Sequence, residues 1–94
     1  MVNINGQNII SGLDDKVRDF HTSIYPNPTK GMFSIRTDIA DLKLEIYTAL
    51  GRLVANEIIS GGIQQIDLSR QTKGVYFVKL IHNGKTERIK LILQ

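Results

Sequence analysis

The sequence predicts an all-β domain, a sandwich of about seven antiparallel strands with no helix. Three observations carry this. From residue 21 onward apolar residues recur with period two, turn signals interrupt them at short, regular spacing, and one crossing loop runs from a leucine to a tyrosine in the layout of a tyrosine corner.

Residues 1–21 differ from the rest. They are polar and turn-rich, with Asn3, Asn5, Gly6, Asn8, Ser11 and Gly12, and then run through the charged stretch Asp14-Asp15-Lys16-Val17-Arg18-Asp19. A helical turn starting near Ser11 would have too brief a periodicity to be read. This stretch is expected to be a linker or the tail of a preceding domain, and residues 22–94 the folded unit.

The first strand is expected over residues 21–25. The only two prolines, Pro26 and Pro28, follow it. Each keeps the residue before it extended, and neither can donate to a ladder, so the segment belongs on a sheet edge or at the start of the first hairpin. Residues 27–30 carry the chemistry of a type I turn, with Asn first and Pro second, and Gly31 is placed to follow in the left-handed region. On this reading the prolines divide a leader from the folded body.

Phe33 and Ile35 then alternate with Met32, Ser34 and Arg36. Leu42, Leu44 and Ile46 alternate with Lys43, Glu45 and Tyr47, which makes a half-buried strand with one wet face. Gly51, after Tyr47-Thr48-Ala49-Leu50, closes a type I turn through a left-handed residue and a bulge, leading into a strand over residues 52–59. Ile66 and Leu68 repeat the alternation briefly. Residues 75–81 are apolar on both faces except for Lys79, so a central strand buried on two sides is expected. Asn83-Gly84 signals a type I′ hairpin, which needs positive φ at both central residues. The last strand puts Ile89, Leu91 and Leu93 on one side and Arg88 and Lys90 on the other.

The corner is the most specific of these signals. Leu68 ends one strand, Ser69-Arg70-Gln71-Thr72-Lys73-Gly74 cross over, and Tyr76 stands near the start of the next strand. In immunoglobulin-like sandwiches such a hydroxyl bonds back to upstream backbone and pins the crossing between sheets. The fold class is therefore an immunoglobulin-like Greek-key sandwich, with a small up-and-down barrel as the alternative.

With 41% apolar and 22% charged residues, 94 residues suit one domain with a modest core. Cysteine is absent, so neither disulfides nor thiolate metal sites support it. No apolar run approaches the roughly 18 residues of a membrane helix, and the first ten residues have neither the basic nor the apolar region of a signal peptide. The net charge of +3 is uneven: residues 1–68 hold six Lys/Arg against eight Asp/Glu, and residues 69–94 hold Arg70, Lys73, Lys79, Lys85, Arg88 and Lys90 against Glu87. A solvated face with edge-protecting lysines explains this more simply than a binding patch, and no aromatics interleave with the charges as single-stranded nucleic acid would require.

The chemistry of a site is missing. His21 and His82 have no carboxylate or nucleophile at suggestive spacing, two histidines alone make no zinc site, and no loop of alternating oxygen ligands surrounds Asp14 and Asp15. No phosphate-binding loop occurs. Neither catalysis nor a cofactor is expected.

One ordered set of motifs is specific: Ile24-Tyr25-Pro26-Asn27-Pro28-Thr29-Lys30-Gly31, Leu44-Glu45-Ile46-Tyr47 leading to Leu50-Gly51-Arg52-Leu53-Val54, Ile66-Asp67-Leu68-Ser69, Lys73-Gly74-Val75-Tyr76-Phe77-Val78, and Lys90-Leu91-Ile92-Leu93. This resembles the type A C-terminal sorting domain of the type IX secretion system of Bacteroidetes, over about residues 22–94. The resemblance implies an immunoglobulin-like sandwich that directs a covalently linked upstream passenger through the periplasm and across the outer membrane to the cell surface or the medium. It implies as partners the translocon or shuttle proteins of that machinery and a sortase-like peptidase, which cuts in the linker before the domain. The motif positions carried over are Pro26, Asn27, Pro28, Gly31, Gly51, Arg52, Gly74, Tyr76, Lys90, Leu91, Ile92 and Leu93. Most of them are turn and corner residues first; Lys90 lies on the expected wet face, on a terminal strand that is expected to be available for strand addition. A carbohydrate-binding or adhesion sandwich, which needs an exposed aromatic platform, and a plain spacer domain are the alternatives.

Overall fold

The computed structural model describes residues 22–94. The linker expected over residues 1–21, and His21 as the first residue of the leading strand, lie outside the described residues. Within them stand seven strands and no helix: β1 (Thr22–Tyr25), β2 (Met32–Thr37), β3 (Leu42–Thr48), β4 (Leu53–Ile59), β5 (Gly62–Asp67), β6 (Gly74–His82) and β7 (Lys85–Leu93).

The strands form two sheets in the orders β1-β2-β5 and β4-β3-β6-β7, with every paired neighbour antiparallel. The constant-type immunoglobulin sandwich puts its first, second, fifth and fourth strands on one sheet; here β4 pairs instead with β3 on the other. Period two decides which side chains meet between the layers. Ile24, Phe33, Ile35 and Ile66 from the first sheet face Leu42, Leu44, Ile46, Val78, Leu80, Leu91 and Leu93 from the second, all buried. Each such side chain contributes about 1.5–3 kcal/mol by leaving water. Three polar residues are buried, Thr22, Thr29 and Thr37, and the Thr22 hydroxyl donates to the Thr37 hydroxyl at 3.0 Å.

Several expected details hold. Asn83 and Gly84 have φ of 50° and 77° and join His82 to Lys85 in register. Gly51, at φ 95°, donates its N–H to the Thr48 carbonyl, and the register shifts at Tyr47 where the bulge forms. The Tyr76 hydroxyl donates to the Thr72 carbonyl, four residues upstream, which closes the tyrosine corner. Tyr76→Phe keeps the buried ring and removes this bond. Stability should fall by about 1 kcal/mol, read as a lower urea midpoint at unchanged slope.

Three details differ. β5 begins at Gly62, well before Ile66, because pairing with β2 carries its polar residues into the ladder. β6 is buried on one face only: Tyr76, Val78 and Leu80 point inward, whereas Phe77, Lys79 and Ile81 are half-covered by neighbours in their own sheet, with no third layer over them among the described residues. The prolines do not precede the folded body either. β1 comes before them and is part of the first sheet, with Thr22 and Ile24 buried.

Candidate functional site

Short connections between antiparallel strands alternate between the two ends of a sandwich. One end here carries the loops at residues 38–41, 60–61 and 83–84. The other carries residues 26–31, 49–52 and 68–73 together with the end of β7. The sequence motifs all fall at this second end or on the strand residues leading into it: Pro26, Asn27, Pro28 and Gly31 on the first loop, Gly51 and Arg52 on the second, Gly74 and Tyr76 at the start of β6, and Lys90 to Leu93 at the end of β7. Within the ladder Gly74 faces Leu93 and Tyr76 faces Leu91.

The proline pair is explained by what lies beside it. Two residues without usable N–H groups cannot pair as a strand, and the side chain between them supplies the missing donor and acceptor. Asn27 Nδ2 donates to the Lys90 carbonyl at 2.7 Å, and the Ile92 N–H donates to Asn27 Oδ1 at 3.1 Å. An amide side chain thus stands where a peptide unit of a neighbouring strand would be. Thr29 continues the pairing through its backbone: its N–H donates to the Ile92 carbonyl at 2.9 Å, and the Gln94 N–H donates to its carbonyl at 2.8 Å. Thr29 and Leu93 form a parallel bridge. After leaving the first sheet, the chain therefore clips onto the outer edge of the second.

This replaces the expected type I turn over residues 27–30. A residue bridged to a strand is extended, which the third position of that turn does not allow. Gly31 has the positive φ expected of it, 155°, which side chains rarely adopt. It also stands close to the corner loop, since a Cβ there would lie 3.1 Å from Ser69 Cβ, and the Leu68 N–H donates to the Gly31 carbonyl at 2.8 Å. The first loop is thereby tied to the corner loop. The expectation of a terminal strand open to strand addition is corrected in the same way: the β7 edge at Lys90, Ile92 and Gln94 is already occupied, by Asn27 and Thr29.

Six of the eight exposed large apolar side chains of the described residues stand at or near the motif-bearing end: Tyr25, Met32, Leu50, Leu53, Val75 and Ile92, Leu50 by 98%; Ile58 and Ile63 are exposed at the opposite end. Val75 is exposed although residues 75–81 were expected to be buried on both faces, and the turn glycine Gly51 beside Leu50 is the signal that marks that position as a loop tip. Thr29 and Ser69 escaped notice because their role is set by partners far along the chain.

Electrostatics are concentrated on the outer face of the second sheet. The Tyr47 hydroxyl donates to Glu45 Oε1 at 2.7 Å, and Lys43 Nζ lies 3.4 Å from Glu45 Oε2. The Tyr47 bond, with the nearby lysines, holds the Glu45 carboxyl below its ordinary range against partial desolvation, and the same bond pushes the Tyr47 phenol up. Asp67 is lowered by hydrogen bonds from Ser69. Among the described residues no group of three or more His, Cys, Asp or Glu stands together as metal ligands, and no helix is long and apolar enough to cross a membrane. A sugar-binding platform needs flat exposed aromatics, but of the described aromatic side chains only Tyr25 is exposed.

Residues 23–94 match the family model of the secretion system C-terminal sorting domain. The chain belongs to this family. No curated protein matches it. The sorting domain is a signal of type IX secretion, which implies export to the cell surface or the medium, and its family is not one of enzymes.

Proposed function

We propose that this sorting domain is the removable address of a folded passenger joined to its N-terminal side. It accompanies the passenger through the periplasm and presents its motif-bearing end to a translocon or shuttle protein of the type IX machinery. A sortase-like peptidase then cuts in the linker before Thr22. The observation that supports this reading is convergence: five motifs scattered along the sequence meet at one end of the sandwich, where exposed apolar side chains also gather. Turn chemistry alone would scatter them over both ends.

A reporter carrying a signal peptide and fused ahead of residues 1–94, expressed in a host that has the system, should appear at the cell surface without the domain. The same reporter without the domain should stay in the periplasm. Equal export of the two would overturn the reading and favour a plain spacer.

A further inference from the structure

The outer face of the β4-β3-β6-β7 sheet carries a charge arrangement that the fold does not need. Lys79 on β6 and Arg88 on β7 stand directly opposite one another, and Lys90 follows two residues along, opposite Phe77. Like charges in directly opposed positions weaken a strand pair. On the other side of Lys79 stands Glu45, the one carboxylate of this face among the described strands, but its oxygens are engaged by Tyr47 and Lys43. Among the described residues Arg88 and Lys90 have no acidic side chain across from them.

The face is also dished. Tyr47, Phe77, Lys79, Thr86 and Arg88 line a depression of about 670 Å³, and the Arg88 guanidinium lies 5.9 Å from the centre of the Phe77 ring. Contact with the ring fixes the cation before any ligand arrives. Beside the depression runs the part of the β7 edge that the Asn27 clip leaves uncovered. Backbone groups of alternate residues point the same way, so Thr86 and Arg88 turn their N–H and C=O outward like Lys90 and Ile92, and among the described residues no backbone partner meets them.

We propose that this depression docks an acidic, extended segment of a partner protein. A carboxylate sits between Lys79 and Arg88, an apolar side chain two residues along, on the same face, reaches toward the aromatic floor at Phe77, and the backbone runs along β7 at Thr86 and Arg88. This rests on the sorting reading and names the chemistry of the partner. A protein segment fits better than an anionic membrane on two counts. The aromatic floor lies below a cationic rim, where a side chain enters and a flat lipid surface does not, and an open strand edge is matched by extended backbone, which lipid lacks.

The 94-residue chain, labelled with nitrogen-15 and titrated with poly-L-glutamate at low salt, should show amide shifts concentrated at Tyr47, Phe77, Lys79, Thr86 and Arg88. They should fade as salt rises. Arg88→Glu turns the opposition with Lys79 into an attraction, so it should stay folded by its amide spectrum while binding falls about tenfold or more; Lys79→Gln should weaken binding in the same direction. Shifts spread evenly over Lys30, Arg36 and Lys73, or equal binding by wild type and Arg88→Glu, would overturn the proposal. So would localised shifts with phosphatidylglycerol vesicles and none with poly-L-glutamate, which would assign the site to lipid. If the reporter is exported and the titration fails, only the partner chemistry is lost; if the reporter is not exported, the sorting reading itself fails.

Discussion

Deleting residues 88–94 should leave the rest of the chain unfolded rather than merely unrecognised. Leu91 and Leu93, at 0% and 3% exposed, belong to the core, and half-buried Ile89 packs against it. Emptying one buried leucine site costs about 2–5 kcal/mol, so losing two costs about 4–10 kcal/mol. That spans most of the 5–15 kcal/mol by which native domains are held, and a domain this small lies toward the low end. The deletion also strips β6 of its partner from Gly74 to Lys79 and removes the β7 partners of the Asn27 side chain and the Thr29 backbone. Circular dichroism should show no cooperative thermal transition, and amide resonances should collapse into the narrow unfolded range. A cooperative transition within a few degrees of wild type would show that β7 is an appendage and that the sandwich is closed by six strands. The consequence for secretion is direct. Lost export in such a truncation reports unfolding, and recognition is separated from stability only by substitutions that leave β7 in place.

The parts of this fold that were legible in the sequence are those whose cause is local. Alternation in Leu42, Leu44 and Ile46 fixes which face of β3 is buried, because side chains on a strand take opposite sides by geometry. Asn83-Gly84 and Gly51 announce their turns through the backbone region that each must occupy. The tyrosine corner spans four residues and is equally local. What escaped is long-range or depends on the absence of a neighbour. The Asn27 clip joins residues 63 and 65 positions apart, and nothing within 27–30 says that β7 will be beside it. β5 hides its first half because Gly62 and Gln64 hold inward positions where alternation calls for apolar residues. β6 misleads in the opposite sense: Phe77 and Ile81 are apolar, yet among the described residues only Tyr47, Arg88 and their in-sheet neighbours shield them, and no further layer covers that face. The motif residues were legible as turn, corner and strand positions. That they share one end follows from the antiparallel order, and their joining through Asn27 does not.

Asn27→Ala should reduce export far more than it reduces stability. The substitution removes both side-chain hydrogen bonds, but the Lys90 carbonyl and the Ile92 N–H lie at an exposed edge and recover water in exchange. The net cost is then about 1 kcal/mol, near the lower end for two bonds. Local opening is a different matter. Without Asn27 only Thr29 holds the first loop on β7, so hydrogen exchange at the Ile92 amide should accelerate strongly, while amides of β3 and β6 in the middle of the sheet stay protected. Freed groups at Lys90 and Ile92 also lengthen the open edge from Thr86 to Ile92, and self-association at high concentration should rise. Asn27→Asp separates the two bonds, because a carboxylate still accepts from the Ile92 N–H yet repels the Lys90 carbonyl; its exchange rate should fall between wild type and alanine. If the closed end is what the machinery reads, the reporter fused to Asn27→Ala should accumulate in the periplasm with the domain still folded. Should export instead continue unchanged while the Ile92 amide exchanges freely, the clip is only structural, and recognition lies on the sheet face rather than at the end where the motifs meet.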